Sequence, residues 1–421
     1  MKPKVLLRRL FMGALISDQR RGLKHLAGRL RRRGAPVVHY FHQVDDPYSH
    51  LAAQKIFDLF QRYAVRFEYH LAGPPNDEEQ GDSNRFTTWA LKDARSIAPF
   101  YDTNLPVKVD TPDAQQVAAA ERYLAGYLTS SEFPEQAVEV GHKLWSGTLD
   151  VDGAASNAVA EGSALRHRLG HWLGATFYFE GEWYWGVDRL VHLEDRLRDL
   201  GLSREPTGVC VPRPLPETVK GTAGDIQLEY FPSLRSPYTA ISYDRTIDMV
   251  NRTGVQLNLR PVMPMMMRGI PAPRSKQMYI MSDTKREADY YNQPFGPIVD
   301  PFGEPVKRAF SLLPFMMDQD KAVEFCGEYL RAAWTRGVDI TEEEGLRQVV
   351  ETIGVNWADA QATMNNAEWQ PLLEENVSDM LAAGLWGVPS FRVSGGDKPP
   401  FSCWGQDRLW LVEAEIARRT K

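Results

Sequence analysis

Residues 37–51 read VVHYFHQVDDPYSHL, and residues 227–241 read QLEYFPSLRSPYTAI. In both, an apolar, strand-like run ends at a Pro-Tyr-hydroxyl triplet, and a helical pattern follows. Asp46 falls on Ser236, and Trp89 and Asp93 fall on Tyr279 and Asp283, all at a spacing of 190. Trp145 in KLWSG falls on Trp334 in AAWTRG, at 189. Near the ends, Trp185-Gly186-Val187-Asp188-Arg189-Leu190 falls on Trp404-Gly405-Gln406-Asp407-Arg408-Leu409, at 219. One such match is weak. The ordered set predicts a duplicated domain of roughly 165–195 residues, with a second copy that is longer in its latter half.

Between the copies lie residues 201–225, GLSREPTGVCVPRPLPETVKGTAGD, with prolines at 206, 212, 214 and 216. Prolines this dense exclude helix and favour a stiff, extended connector. The predicted organisation is an arm over 1–34, a first domain over 35–200, the linker over 201–225 and a second domain over 226–421. Each copy reads strand, helix, strand, a long helical stretch, two short strands and a last helix. In the second copy QLEYF and VQLNLRPV are strands, residues 317–385 are mostly helix, and SFRV and the segment near FSCW are short strands. A βαβ unit plus a ββα unit with helices inserted between them implies an α/β fold with a mixed sheet in each copy.

Composition narrows the class. Hydrophobic residues make up 43 % and charged residues 25 % of the 421, which excludes a disordered or collagen-like chain. No apolar run approaches the roughly 18–20 residues of a membrane span. The stretch Leu10–Ile16 is shorter than a signal-peptide core and no small-residue cleavage site follows, so the chain is expected in the cytoplasm. Cys210, Cys326 and Cys403 lie far apart, with no CxxC and no zinc-type spacing. The net charge of −6 is uneven: residues 1–34 hold eleven Lys and Arg against the single acid Asp18, a balance of +10, leaving −16 on the rest. Such an arm suits an anionic membrane or partner, or the chain's own acidic body.

Three segments of the second copy carry chemistry-bearing residues. In Arg235-Ser236-Pro237-Tyr238-Thr239, serine before proline at a strand-to-helix junction is an N-cap with proline at N1. The same geometry offers a hydroxyl and helix amides to an anion, including a thiolate. In Gly387-Val388-Pro389-Ser390-Phe391, the Val-Pro step is a cis-proline candidate or an ordinary turn. Its valine backbone is free to pair with an extended, peptide-like ligand. In Cys403-Trp404-Gly405-Gln406-Asp407-Arg408, the opening of the last helix can receive a ligand's termini, or Asp407 can serve as a cap.

SPYT, LRPV, KQMYIMSD, AAWTRGVDIT, GVPSF and CWGQDRL occur in the order seen in the 2-hydroxychromene-2-carboxylate isomerase and kappa-class glutathione transferase family. The second copy resembles that family over nearly all of 226–421, and the first copy resembles it more faintly. The resemblance implies two tandem DsbA-like thioredoxin folds, each with an inserted helical subdomain, and glutathione as cofactor. It places Ser236 as the catalytic hydroxyl that stabilises the glutathione thiolate. Ser236 and Thr239 then stand where the fold's redox members carry two cysteines. Val388 and Pro389 would pair with the cysteinyl backbone, Gln406 and Asp407 would hold the γ-glutamyl end, and Lys276 would lie near the glycyl end. One segment departs from the family: its Gly-Asn-Arg/Lys-Pro-Pro loop reads MPMMMRGIPAPRSK here. Met265, Met266 and Met267 could line an adaptable apolar pocket there or pack into the core.

The first copy lacks these devices. Asp46 replaces the serine, which as a carboxylate would repel a thiolate, and Ala175 in LGATFYF replaces the proline. It reads as a degenerate copy, serving as a packing partner, lid or binding module. His39 and His42 are three apart on a strand and face opposite sides, whereas His167 and His171 are four apart and could share a helix face. With no third ligand nearby, no metal is expected, and no nucleic-acid stripe appears. The leading expectation is a glutathione-dependent isomerase or transferase acting on a small aromatic or conjugated carbonyl compound, with pairing of the two copies within one chain left open. The alternatives are a non-catalytic tandem scaffold, held at a membrane by residues 1–34, and a DsbA-like thiol–disulfide oxidoreductase, which the absent CxxC disfavours.

Overall fold

The structure, a computed structural model, describes residues 3–32, 34–106, 108–216, 219, 223–364 and 366–420. Residues 2, 33 and 421 of the expected arm and second domain, and 217, 218 and 220–222 of the expected linker, fall outside that set, as do 1, 107 and 365. Contacts divide the chain into two compact units. One comprises Arg21–Pro214 and Ala272–Tyr279; the other comprises Met1–Arg20, Leu215–Pro271 and Ile280–Lys421.

The chain opens with α1 (Pro3–Leu15) and α2 (Asp18–Arg31). The first sheet then follows in the order β1 (Val37–His42), α3 (Pro47–Arg62) and β2 (Arg66–Leu71). Helices α4 (Asp77–Gln80), α5 (Ser83–Ile97), α6 (Ala114–Ala125), α7 (Phe133–Trp145) and α8 (Ala158–Leu169) precede β3 (Thr176–Phe179), β4 (Glu182–Trp185) and α9 (Leu190–Asp199). The second series is β5 (Gln227–Phe231), α10 (Pro237–Thr253), β6 (Gln256–Leu259) and α11 (Arg274–Tyr290). It continues through α12 (Glu304–Ser311), α13 (Leu313–Asp318), α14 (Ala322–Arg331), α15 (Glu343–Thr352), α16 (Trp357–Thr363) and α17 (Trp369–Ala382). It closes with β7 (Ser390–Gly395), β8 (Lys398–Trp404) and α18 (Leu409–Thr420).

Two four-stranded sheets result, ordered β2-β1-β3-β4 and β6-β5-β7-β8. In each, the first strand runs parallel to the second and antiparallel to the third, and the fourth is antiparallel to the third. Aromatic pairs sit at the centre of both. Tyr40 is opposite Phe177 with ring centroids 4.7 Å apart, and Tyr230 is opposite Phe391 at 5.1 Å. All four rings are buried. Cross-strand aromatic contact of this kind stabilises a sheet by packing as well as by pairing.

Local chemistry sets the elements beside the site. Asp46 caps α3 and Ser236 caps α10, each followed by proline at the first helical position. Proline loses nothing there, because that N–H has no helical partner. Gly254, at φ 69°, ends α10 in the left-handed conformation that glycine adopts without a Cβ clash. Strand β6 is shorter than VQLNLRPV predicts: it stops at Leu259, although Arg260 and Val262 still donate to the carbonyls of Tyr230 and Pro232. Pro261 between them has no N–H for a ladder.

The segment after α9 contains no helix among its described residues. Its first part is bonded to the first unit: Arg204 N–H donates to Arg62 O, and the amides of Cys210 and Val211 donate to Glu194. The basic arm divides. On α2, Arg21 and His25 pair with Glu182, and Arg32, just past the helix, pairs with Glu180. On α1, Val5, Met12 and Leu15 pack on the core of the second unit, whereas Leu6, Leu7, Leu10 and Phe11 are exposed.

Candidate functional site

In the second unit the sheet register brings the singled-out segments to one end. Phe231, the last residue of β5, is opposite Ser390, the first of β7, and Ser390 is opposite Trp404, the last of β8. The loop 232–236, the step 388–389 and the turn 405–408 therefore leave or enter the sheet at the same edge. The chain leaving β6, which runs parallel to β5, reaches that edge at 260–268.

Ser236 is nine-tenths buried. Its Oγ accepts the Thr239 N–H at 3.1 Å, and its own proton has no acceptor among the described residues. A hydroxyl held this way keeps a donor directed away from the helix end it caps. Thr239 is turned inward: its hydroxyl accepts the Ser233 N–H at 3.4 Å. Next to the cap, Arg235 forms a two-pronged pair with Asp300 at 2.8 and 3.1 Å and lies over the Phe302 ring. Met266 Sδ accepts from Arg235 at 3.4 Å, while Met267 packs against the core.

The Val388–Pro389 peptide is cis. Among the described residues neither backbone polar group of Val388 has a hydrogen-bond partner, while Pro389 O accepts from Gly405 N–H at 3.0 Å. The loop carrying this step is pinned from three sides. Arg268 donates to Trp386 O at 2.7 Å, Ser390 Oγ donates to Gly387 O at 2.7 Å, and Trp386 and Trp404 lie 4.6 Å apart. Burial lowers the Arg268 pKa to about 10.

The remaining expected residues are placed differently. Gln406 is almost fully buried; its amide donates to Glu287 at 2.5 Å and its oxygen accepts from Arg245 at 3.4 Å. Both ends of the carboxamide are thus engaged inside the protein. Asp407 folds back on Gly405, whose φ of 118° and lack of a side chain make room for the carboxylate. Lys276 belongs to the other unit. Its ammonium is buried and donates to the carbonyls of Glu79 and Gln80 at 2.9 and 3.4 Å, and burial lowers its pKa to about 8. Sequence spacing had not singled out Glu287, Arg245 or Asp300 as partners, because each lies 65 or more residues from the residue it pairs with.

The first unit closes the same location internally. Asp46 accepts the amides of Tyr48 and Ser49 at 3.2 and 3.1 Å, and the Ser49 hydroxyl at 2.8 Å. Burial pushes its carboxyl up to about 7, against the opposing pull of those hydrogen bonds. Ser49 Oγ in turn accepts from the amides of Gln43 and Ala175. Asp46 borders a narrow cleft of about 50 Å³ shared with Gln43, Gln80, Phe86, Leu173 and Trp185.

One expectation about histidine needs correction. His167 and His171 do not share a helix face, because α8 ends at Leu169 and Gly170 turns left-handed at φ 97°. His171 instead stacks on Trp172. His39 and His42 do have different surroundings, as strand alternation requires, but His39 meets His70 across the sheet. The three cysteines form no disulfide: Cys326 lies on α14, Cys403 on β8 and Cys210 in the segment after α9, and burial raises the Cys326 thiol to about 12.

Residues 227–417 match the DSBA-like thioredoxin domain. The chain is 26 % identical over 203 residues to glutathione S-transferase kappa 1 of Rattus norvegicus, covering 44 % of this chain and 88 % of that protein. A solved 2-hydroxychromene-2-carboxylate isomerase aligns at 18 % identity and TM-score 0.39, over 46 % of this chain and 95 % of that one. The cytosolic disulfide reductase DsbM of Pseudomonas aeruginosa, in its structure with GSH, aligns at 16 % and 0.36, over 46 % and 99 %.

Proposed function

Residues 227–417 form a DSBA-like thioredoxin domain, and from that premise we propose that this half of the chain is a glutathione-dependent transferase or isomerase acting on a small aromatic or conjugated carbonyl compound. One observation carries the reading. A capping hydroxyl with a spare proton, on Ser236, stands at the same sheet edge as a Val388 backbone with two unused polar groups. A thiolate peptide needs those two partners: a donor at the positive end of a helix for sulfur, and a strand-like pair for the cysteinyl backbone. The rat relative's name adds glutathione as the thiol.

Bound glutathione supplies a thiolate that adds reversibly to an electron-poor carbon. The protein's part is to keep that sulfur ionised and placed. Ser236 donates to it, the amide end of α10 adds positive potential, and Val388 fixes the peptide behind it. The chemistry of this donor set fits the cysteinyl portion of the ligand. At the γ-glutamyl end, Asp407 is retained, while Gln406 acts by holding Glu287 and Arg245. Lys276 is left out, because its ammonium is committed to two carbonyls. Two hydroxyls, Ser236 and Thr239, in place of a dithiol favour this reading over disulfide exchange.

We read the first unit as a second copy of the same domain whose site has been closed by Asp46 and Ser49. The whole chain's domain limits remain 35–200 and 226–421 in this reading. A tandem scaffold is the second reading, favoured by the exposed Leu6, Leu7, Leu10 and Phe11 on a segment of strongly positive charge. Such a row inserts at an anionic lipid surface. Calorimetry with reduced glutathione decides between them: one site per chain, weakened at least tenfold by Ser236→Ala, supports the enzyme. No binding at millimolar glutathione, together with α1-dependent sedimentation on anionic vesicles, would favour the scaffold.

A further inference from the structure

The first sheet gathers three Lewis bases that the chain separates by up to 31 residues. Strands β1 and β2 run parallel, with His39 opposite Glu68 and Phe41 opposite His70. Alternation puts His39, Glu68 and His70 on one face. His39 Nδ1 lies 3.1 Å from His70 Nε2 and 3.3 Å from Glu68 Oε2. One ligating atom of each residue lies within 4.8 Å of the other two. The other carboxylate oxygen of Glu68 is taken by Arg66 at 2.7 Å.

Protons satisfy this arrangement only in part. Nδ1 of His39 holds at most one, and two acceptors are within its reach. If it accepts from His70 instead, its lone pair faces a carboxylate. The second sheet shows the same positions closed by the protein's own cations. There Glu229 is opposite Asn258 on β6, and it pairs with Arg260 at 2.9 Å and Arg392 at 2.7 Å. At the place of Arg260 the first sheet has His70, and at the place of Arg392, directly across from Glu229, it has Tyr178 across from His39.

We propose that His39, Glu68 and His70 are the ligands of a divalent transition-metal ion of the zinc type, with one coordination position open to solvent. Two imidazoles and a carboxylate are a donor set suited to that ion. Ligand bonds of about 2.0–2.1 Å in a tetrahedron put neighbouring donor atoms about 3.3 Å apart, close to the two shorter separations observed. The His39 and Glu68 side chains are 25 % and 38 % exposed, so an ion reaches them from solvent. The ion would clip the edge strand β2 to β1, which makes folding stability the readout of binding.

The test uses the full chain after chelator treatment, titrated with zinc chloride by calorimetry and separately with Co²⁺ for its visible ligand-field bands. One ion per chain is expected, together with a rise in Tm and a cobalt spectrum of low symmetry. His39→Ala and His70→Ala should each weaken zinc binding at least a hundredfold, and Glu68→Gln at least tenfold. His142→Ala, which removes an exposed histidine on α7, should leave it unchanged. Absence of zinc binding at millimolar concentration would overturn the site, as would binding that survives both histidine variants. The wild-type cobalt spectrum stands independently of how any variant folds: a spectrum no different from aqueous Co²⁺ also overturns it.

Discussion

The Tyr238 hydroxyl donates to the Asp283 carboxylate at 2.8 Å, and in the first unit Tyr48 donates to Asp93 at 2.7 Å across the same interval of 45 residues. Both acids are buried, and Asp283 also pairs with Arg286 at 2.7 Å. The bond ties the first turn of α10 to α11, beside the Ser236 cap. Tyr238→Phe removes one donor to a buried carboxylate and should cost about 1.5–3 kcal/mol. Urea denaturation monitored by tryptophan fluorescence reads this directly; a midpoint equal to wild type would show that the pair contributes nothing.

Capping and thiolate binding are separable at Ser236. Ser236→Ala loses the cap, at about 1 kcal/mol, and the donor to sulfur together. Ser236→Asp keeps a cap of the kind Asp46 supplies but places a negative charge at the sulfur position. Like charges at about 4 Å and an effective dielectric near 20 repel by about 4 kcal/mol. The aspartate variant should therefore melt close to wild type and lose glutathione binding. Retained binding in both variants, by calorimetry, would remove Ser236 from the site.

Asp46 makes the first unit sensitive to pH. Its folded pKa of about 7 lies above the unfolded value of 3.8, so the folded state binds the extra proton. The stability it contributes is full below the unfolded pKa and is lost as pH rises from about 4 through 7. Asp46→Asn removes this slope and retains a capping side chain. Chemical denaturation of both proteins at pH 5 and pH 7.5 should show a larger loss in wild type; parallel losses would contradict the raised pKa.

Gly387 is required by a ring. A Cβ at that position would lie 2.2 Å from Trp404 Cε2, and Trp404 is held against Trp386. Gly387→Ala must displace the indole or the loop carrying Val388, at about 1–3 kcal/mol. Near-ultraviolet circular dichroism and a thermal melt together test this: an unchanged tryptophan signal and Tm would mean the loop yields freely.

Much of the fold was legible along the chain because it is written in short-range terms. Capping residues followed by proline located the starts of α3 and α10, Gly254 located a helix end, and alternating apolar residues located the strands. The same terms identified the Ser236 and Val388–Pro389 segments, since a cap and an X-Pro step are properties of adjacent residues. Partnership was not legible. Gln406 reads in sequence as a ligand-facing amide, yet Glu287, 119 residues away, and Arg245 occupy it. Lys276 reads as a charge available to a ligand until its two carbonyl acceptors are seen. His39 appears alone until β2 lies beside β1 and brings His70 against it. Sequence by itself determined which residues can donate, accept or carry charge, and which backbone conformations they favour. Only the tertiary structure decided which of those groups are already satisfied, because desolvation and pairing depend on what packs within a few ångströms, whatever the separation along the chain.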